Sequence, residues 1–236
     1  MDNIPLKIEQ SLQELEKGTL YIVSTPIGNL KDISFRALHV LRNVDFIAAE
    51  DTRVTANLLN HFGIKKRIIS NYSKVESSRM KMITDELLNG MTVALTSDAG
   101  TPCISDPGSV LVSECVKLGI NIRAIPGASS LIHSLVLSGY NNKRFFFQGF
   151  LPIKGRENVY YYLRDLKMPI IIFESKFRIK KTLNEIYEYL PGRFVTVSRE
   201  LTKMFEENIQ GKIKDLVKNI NAIKEKGEFV IIIDNQ

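Results

Sequence analysis

The stretch TVALTSDAGTPCISDPGSVLVSECVKLGINIRAI, residues 92–125, decides the fold. It contains an apolar run (92–97), a loop rich in glycine and proline (98–108), a segment with helical spacing that stops before Gly119, and a second apolar run (121–125). A strand, a helix and a strand in this order predict a right-handed crossover between parallel strands. We therefore expect an α/β protein with a parallel sheet.

The same alternation extends toward the N-terminus, where three more strands alternate with helices. The strands are predicted at 19–24, 45–50 and 66–70, and the helices follow Ser34 and span 51–62 and 77–89. Ahead of them, Ile4, Ile8, Leu12 and Leu15 would lie on one face of a further helix. These elements predict an N-terminal α/β domain over residues 1–127.

A second α/β pattern begins after Gly127 and predicts a C-terminal domain over 128–236 with a mixed sheet. Its strands are predicted at 144–150, 169–175, 193–200, 205–210 and 228–234, and its helices at 129–138, 156–166, 176–190 and 212–225. The run RFFFQGF (144–150) is typical of a buried strand. Three consecutive tyrosines in the helix that follows cannot all face inward, because successive helical residues turn by about 100°.

Composition excludes several classes of protein. Hydrophobic residues make up 44% of the 236 residues and charged residues 25%, which is ordinary for a globular chain. No apolar run has the roughly 20 residues of a membrane span, and the charged N-terminus is unlike a signal peptide. Two cysteines make no disulfide framework, and no Cys/His cluster has metal-ligand spacing, so we expect a cytoplasmic protein without a structural metal.

The net charge of +6 is unevenly distributed along the chain. Residues 1–127 hold 14 basic and 14 acidic side chains, whereas 128–236 hold 18 and 12. The densest stretch, 143–181, has ten basic and three acidic residues interleaved with aromatics, a texture that suits RNA. A generally lysine-rich surface is the alternative. The basic residues chosen as candidate RNA contacts are Lys154, Arg156, Lys180 and Lys181.

Small, polar and turn-forming residues follow the predicted strands. Ligands of open parallel sheets bind at the carboxyl ends of the strands, so these residues define a candidate rim. The longest loop, 97–108, has neither a dinucleotide fingerprint nor a P-loop. Its prolines and glycines suit an adenosine- or methionine-like ligand as well as a phosphate. Asp98 is placed to accept hydrogen bonds from a ligand, whereas Asp98 and Asp106 also suit turn or cap positions.

The segment SDAGTPCISDPG (97–108) resembles the signature of the ribosomal RNA small subunit methyltransferase I family, within the tetrapyrrole methylase superfamily. Blocks in the same order along residues 18–234 also resemble that family. They are GTLYIVSTPIGNLKDIS (18–34), FIAAEDTR (46–53), IPGASS (125–130), QGFLP (148–152), FESKFR (173–178), SRELTK (198–203) and GEFVIII (227–233).

The resemblance implies two α/β domains with S-adenosylmethionine in the cleft between them. It also implies a homodimer that methylates the ribose 2′-hydroxyl of a cytidine in the decoding region of 16S ribosomal RNA, on the small ribosomal subunit. By the same resemblance, the cofactor-contacting positions are Pro26, Asp98, Gly100, Thr101, Ser129 and Ser130, with Glu174 and Leu201 as looser matches.

The chain departs from the family pattern in two places. Many members continue into a further C-terminal segment, whereas this chain ends at Gln236. If that segment grips RNA, we expect weaker affinity here or a grip supplied elsewhere. Relatives often carry histidine where Ser73 stands, which disfavours a histidine base.

Methyl transfer to a hydroxyl needs positioning and a base or an oriented hydrogen bond. The candidate bases at the rim are Glu50, Asp51 and Asp106, and Arg53 is a candidate clamp for a phosphate. A capping and salt-bridge cluster at the start of helix 51–62 is the alternative for Glu50–Arg53. Lys203 would serve as a base only with a lowered pKa.

Three other functions fit parts of the pattern. Methylation of a small tetrapyrrole would use the same fold, but the basic stretch argues against it. A phosphohydrolase with Mg²⁺ on Asp98 and Asp106 would need metal and would not bind S-adenosylmethionine. A non-catalytic RNA-binding protein would bind RNA and turn over no cofactor.

Overall fold

The computed structural model describes residues 12–72, 76–141 and 143–234, with the backbone alone at 76–78. The chain divides into two compact units, of which the first ends at Ser129 and the second begins at Ser130. The boundary expected after Gly127 lies in the same loop, 126–129. Within these ranges, no helix combines the length and the apolar character needed to cross a membrane.

The first unit is built on a five-stranded sheet in which every pair of neighbouring strands is parallel, in the order β3-β2-β4-β1-β5. Its elements are β1 (Thr19–Val23), α1 (Phe35–Asn43), β2 (Phe46–Ala49), α2 (Thr52–His61), β3 (Arg67–Ser70), α3 (Glu76–Leu88), β4 (Val93–Thr96), α4 (Ser109–Lys117) and β5 (Asn121–Ile125). The predicted parallel sheet is confirmed. All five strands therefore end at the same edge.

Local chemistry explains where these elements begin and why they pack. The Ser34 hydroxyl accepts a hydrogen bond from the Ala37 amide at 3.1 Å and starts α1. Strands β2 and β4 are buried on both faces, as their uninterrupted apolar runs predict. Side chains alternate between two core clusters, so that Ile47 packs in one and Phe46 in the other.

The second unit has a mixed five-stranded sheet in the order β6-β7-β10-β8-β9. Strands β6 and β7 are parallel, and the pairs β7–β10, β10–β8 and β8–β9 are antiparallel. The predicted mixed sheet is confirmed. Its elements are α5 (Ser130–Ser138), β6 (Phe146–Phe150), α6 (Arg156–Arg164), β7 (Ile170–Ser175), α7 (Ile179–Tyr189), β8 (Phe194–Arg199), β9 (Glu207–Lys212), α8 (Ile213–Lys218) and β10 (Glu228–Ile233).

Some local expectations were wrong. The run 144–150 is only partly buried: Phe146 packs against the core, whereas Phe145 and Phe150 are 38% and 54% exposed, and β6 forms an edge of its sheet. The helix predicted over 212–225 ends as an α-helix at Lys218 and is followed by a 3₁₀ turn, Ile220–Ala222.

Two further expectations concern helices near the chain start and in α6. Leu12 and Leu15 lie in a segment without helix, and Leu15 packs on the core, while Ile4 and Ile8 lie outside the described residues. The tyrosine prediction is confirmed, since Tyr160 is fully buried and its two successors are half-exposed.

Candidate functional site

Two neighbouring strands of the first sheet, β2 and β4, end in acidic residues that bind each other's backbone. The amide of Asp51 donates to Oδ1 of Asp98 at 3.0 Å. The amide of Asp98 donates to Oε2 of Glu50 at 3.2 Å. Each loop thus holds a carboxylate of the other, and the predicted rim residues Glu50, Asp51 and Asp98 form one cluster.

The pKa values of this cluster reflect burial and crowding of like charges. Burial raises the pKa of Glu50, and the carboxylates of Asp98, Asp106 and Asp51 raise it further, against the Asp98 amide that lowers it. Burial also raises the pKa of Asp98, against the hydrogen bond from the Asp51 amide, which lowers it, while the Asp51 carboxylate raises it by a smaller amount. The influence of Asp106 on Glu50 places this fourth predicted residue in the same neighbourhood.

Asp51 and Arg53 form a local pair within the cluster. The Arg53 guanidinium donates to both oxygens of Asp51, at 3.1 and 2.6 Å, and the Arg53 side chain is 87% exposed. Hydrogen bonds from the Arg53 side chain and backbone lower the pKa of Asp51 to about 2. Asp51 also begins α2 by accepting the Arg53 amide, so the capping interpretation holds for this residue.

The loop after β4 is fastened to the loop after β1. Thr25 and Gly100 exchange backbone hydrogen bonds of 2.8 and 3.1 Å, and the hydroxyls of Ser24 and Thr101 are 2.9 Å apart. Gly100 has φ +80°, a conformation that favours glycine, and an added Cβ would lie 3.3 Å from the Ile27 side chain. Pro26 follows this bridge and is buried.

The loop after β5 passes close to the same segment. A Cβ added to Gly127 would lie 2.8 Å from the Cβ of Ser24, so only glycine fits there. Ser129, half-buried, is the last residue of the first unit, and Ser130, half-buried, opens α5 in the second. The loops after β1, β4 and β5 therefore gather Pro26, Gly100 and Thr101 at one edge, next to the acidic cluster.

Glu174 occupies a different setting from the one its motif predicted. It is 2% exposed, and both carboxylate oxygens are engaged inside the second unit. Oε1 accepts from Arg178 at 2.8 Å and from the Ser175 amide at 2.7 Å, and Oε2 accepts from Thr182 at 2.6 Å. Its contacts therefore describe a structural ion pair rather than an open ligand contact.

Leu201 and Lys203 lie in the loop between β8 and β9. Leu201 is 6% exposed and sits between two non-glycine residues with positive φ, Glu200 at 51° and Thr202 at 64°. Burial alone would lower the pKa of Lys203, but hydrogen bonds to Glu228 and Glu200, each 2.9 Å, outweigh burial and raise it. The condition set for Lys203 as a base is therefore not met.

The four predicted RNA contacts differ in accessibility. Lys154 is exposed, and the Lys181 side chain is 65% exposed and 3.8 Å from Glu185. Lys180 is less exposed and pairs with Glu225 at 2.6 Å.

Arg156 is a correction. Its side chain is 5% exposed, and its guanidinium lies 2.6 Å from both Glu185 and Thr182. A buried guanidinium with these partners is not available to a phosphate. The two glutamates that enclose it, Glu174 and Glu185, are distant in sequence, so no local pattern could have shown its burial.

The sequence interpretation overlooked one residue beside the acidic cluster. Asn71 directly follows β3, and its backbone N–H donates to the carbonyl of Ala49, the residue before Glu50, at 2.7 Å. Its side chain is 1% exposed, and within the described part of the chain neither the side-chain oxygen nor the side-chain nitrogen has a hydrogen-bond partner. The signal was its position at a strand end, the same signal that picked out the other rim residues. Ser73 lies outside the described residues.

Known proteins similar to the chain agree with this architecture. Residues 19–217 match the family model of Tetrapyrrole (Corrin/Porphyrin) Methylases. A Ribosomal RNA small subunit methyltransferase I from Halalkalibacterium halodurans is 43% identical over 97% of this chain and 80% of its own length. A protein of the same name from Thermotoga maritima is 42% identical over 93% of this chain and 99% of its length. The chain belongs to the ribosomal RNA small subunit methyltransferase I family, within the tetrapyrrole methylases. The resemblance seen in its motifs is thereby confirmed.

Solved structures with low sequence identity share the fold. A diphthine synthase matches with a TM-score of 0.71 at 18% identity, covering 91% of this chain and 89% of that one. A uroporphyrin-III C-methyltransferase from Thermus thermophilus, complexed with S-adenosyl homocysteine, matches with a TM-score of 0.63 at 14% identity, covering 91% and 96%. These structural similarities confirm the tetrapyrrole methylase-like fold. The relatives with higher sequence identity are the ones named as methyltransferases of ribosomal RNA.

Proposed function

We propose that the protein transfers a methyl group from S-adenosylmethionine to the ribose 2′-hydroxyl of a cytidine in the decoding region of 16S ribosomal RNA. The observation that carries this proposal is the 43% identity, over 97% of the chain, to a relative named Ribosomal RNA small subunit methyltransferase I. The choice of cytidine and of the 2′-oxygen rests on the family resemblance of the loop 97–108 and its partner blocks.

The charge of the site fits this cofactor. S-adenosylmethionine carries a positive sulfonium and a positive ammonium group against a single carboxylate, so its net charge is positive. The rim presents the carboxylates of Glu50, Asp51, Asp98 and Asp106, and Arg53 offsets the charge of Asp51. An acidic site favours a cationic ligand over one rich in phosphate. The structural neighbour complexed with S-adenosyl homocysteine supports the same choice.

Three loops of the first unit would hold the cofactor. They supply Asp98, Gly100 and Thr101 after β4, Pro26 after β1 and Ser129 after β5, followed by Ser130. Bound S-adenosylmethionine supplies an electrophilic methyl group on a positively charged sulfur. We leave Glu174 out because its oxygens are engaged elsewhere, and Leu201 remains a prediction as an apolar contact.

Glu50 is the best-placed proton acceptor among the candidate bases. A carboxylate whose pKa is raised takes up a proton more readily near neutral pH, and that of Glu50 is raised by burial and by its acidic neighbours. The hydrogen bond from the Asp98 amide orients its carboxylate. Asp51, with a pKa of about 2, and the protonated Lys203 are poorer acceptors. Asp106 contributes through its charge.

On the second unit we propose Lys154 and Lys181 as phosphate contacts, with Lys180 contributing less because it pairs with Glu225.

We also propose that the protein acts as a homodimer, as the family resemblance implies. Light scattering of the purified protein checks the homodimer by its mass.

The test is a methylation assay with labelled S-adenosylmethionine and two substrates, naked 16S RNA and small-subunit particles that lack the modification. We expect label in the RNA and, after digestion to nucleosides, in 2′-O-methylcytidine. Label on a base would contradict the ribose assignment and leave the methyltransferase assignment in place.

Calorimetric titration with S-adenosylmethionine, with and without Mg²⁺, separates the other functions. Binding without metal is expected. Cofactor binding with methylation of a tetrapyrrole in place of RNA would identify the small-molecule alternative. RNA binding without turnover would indicate a non-catalytic protein, and Mg²⁺-dependent phosphate release without cofactor binding would indicate a phosphohydrolase.

A further inference from the structure

Three loops of the second unit lie at the same edge of its sheet. Strand β6 is parallel to β7, and both β7 and β8 are antiparallel to β10, so β6, β7 and β8 run in one direction. The loops that follow them, 151–155, 176–178 and 200–206, therefore share an edge. Along it, neighbouring strands are about 4.8 Å apart, so the distance from β6 to β8 is about 14 Å.

This edge carries unusually exposed apolar side chains. Met204, Ile153 and Phe177 are 90%, 85% and 84% exposed, and they are the three most exposed large hydrophobic residues of the described chain. Phe205, in the same loop as Met204, is 66% exposed. We call Ile153, Phe177, Met204 and Phe205 the apolar edge. Such a concentration at one edge marks an interaction surface, because apolar exposure of this kind is costly in water.

The first two loops are held in place by buried polar contacts. Arg178 donates to the Leu151 carbonyl at 3.0 Å and to Glu174 at 2.8 Å, which joins loop 176–178 to loop 151–155. Glu174 is itself held by Thr182. Ile153 and Phe177 are thus displayed from a rigid base, which lowers the entropy lost when a ligand orders them.

The third loop is fixed in a similar way. Arg199, 5% exposed, donates to the Phe205 carbonyl at 3.1 Å and to Glu207 at 2.9 Å. The amide of Glu200 donates to the Glu228 carbonyl at 3.1 Å, and Glu228 pairs with Ser175 at the end of β7. Strand β10 therefore connects the start of the third loop to the end of β7, from which the second loop begins.

Exposed lysines lie beside the apolar side chains of the first two loops. Lys154 follows Ile153 in sequence, and both are exposed. Lys176 precedes Phe177, and its Nζ lies 4.9 Å from the centre of the Phe177 ring. The flat rings of Phe177 and Phe205, extended by the apolar side chains of Ile153 and Met204 and lying beside positive charge, suit unpaired nucleobases on a phosphate backbone, whereas a duplex keeps its bases stacked inside.

We infer that the apolar edge binds single-stranded RNA by stacking on unpaired bases, while Lys154 and Lys176 contact the flanking phosphates. At about 3.4 Å for each stacked nucleotide, an edge of about 14 Å accommodates roughly four nucleotides. This inference rests on the proposed function and deepens it, because it names a surface for RNA on the second unit and the strandedness that the surface selects.

The test compares binding of a single-stranded RNA oligonucleotide and its duplex to F177A and to the double variant I153A/M204A. We expect F177A to weaken single-stranded binding roughly 5- to 100-fold and to leave the dependence on salt unchanged, because stacking is lost and no phosphate contact is. K154A should instead lower the salt slope by about one unit. F177W should retain binding.

The matched control is F194A. Phe194 is 43% exposed and lies at the start of β8, at the opposite edge of the same sheet. We expect the F194A variant to bind single-stranded RNA with the same affinity as the unmodified protein. Equal effects of F177A and F194A, or weaker binding of single strand and duplex alike, would overturn the inference. A change in oligomeric mass on F177A would also overturn it, by assigning the edge to a second copy of the chain.

The proposed function fails in a different way. If the unmodified protein binds S-adenosylmethionine but methylates no ribosomal RNA, the proposed function is wrong, whatever F177A does. If the unmodified protein methylates RNA and F177A binds and methylates it normally, the apolar edge alone is wrong.

Discussion

The backbone amide of Asp98 donates to the carboxylate of Glu50, and the amide next to Glu50, that of Asp51, donates in return to the carboxylate of Asp98. This reciprocal arrangement joins the loops that follow two adjacent strands. It keeps two carboxylates close together; the charge of Asp98 adds to the effect of burial in raising the pKa of Glu50, whereas burial is the main cause of the raised pKa of Asp98.

Replacing Glu50 by Gln should lower methyl transfer about 10²- to 10⁴-fold, the range expected for loss of a general base. Cofactor affinity should change little, because the amide oxygen can still accept from Asp98. Single-turnover rates and calorimetric titration measure the two effects. Normal turnover in E50Q would return Glu50 to a capping role.

The pH profile gives a second measure of the same residue. Because the pKa of Glu50 is raised, activity should fall as pH decreases through a value above the ordinary pKa of a glutamate side chain. Replacing Asp98 by Asn removes one neighbouring negative charge, which should lower the pKa of Glu50 and move this loss of activity to lower pH. An acid limb that stays in place in D98N would show that another group controls it.

Asp98→Ala should weaken S-adenosylmethionine binding about 10- to 100-fold, the loss expected for a charged hydrogen-bond acceptor. It also removes the acceptor of the Asp51 amide, so the melting temperature is measured alongside affinity. D45A serves as a comparison, because Asp45 also accepts a backbone amide, that of Thr92, but precedes β2 instead of following it. Unchanged affinity in D98A would remove this loop from the cofactor site.

Gly100→Val should weaken cofactor binding at least tenfold and lower stability, because φ is +80° and a Cβ would press against Ile27. Gly63→Val separates strain from contact, since Gly63 has φ +64° with open space around it. G63V should lower the melting temperature and leave cofactor affinity intact. Equal affinity in both variants would contradict the placement of Gly100 at the ligand.

Arg156→Ala should lower the free energy of unfolding by roughly 1–3 kcal/mol, because Thr182 and Glu185 lose a buried hydrogen-bond partner. Glu174 keeps Arg178, and Glu185 keeps the more distant Lys181. Arg164→Ala is the control, because Arg164 is 55% exposed and its pair with Asp165 is at the surface, where a pair contributes about 0–1 kcal/mol. Denaturant titration compares them. A stable R156A with impaired RNA binding would restore Arg156 to the RNA surface.

The sequence by itself determined the order of strands and helices, the parallel character of the first sheet and the mixed character of the second. Those features depend on local periodicity and on turn residues, which can be read from neighbouring positions. Residues at strand ends were also sufficient to place Glu50, Asp51 and Asp98 at one rim, because parallel strands end together.

Only the tertiary structure decided which side chains of the second unit are exposed to solvent and so able to contact RNA. Arg156 lies in a basic stretch that is typical of RNA contacts, yet Glu174 of β7 and Glu185 of α7 form ion pairs with its buried guanidinium. The run 144–150 has the composition of a buried strand, yet the strand order places β6 at an edge. Burial is set by contacts between residues distant in sequence, and the periodicity of a single segment carries no information about them.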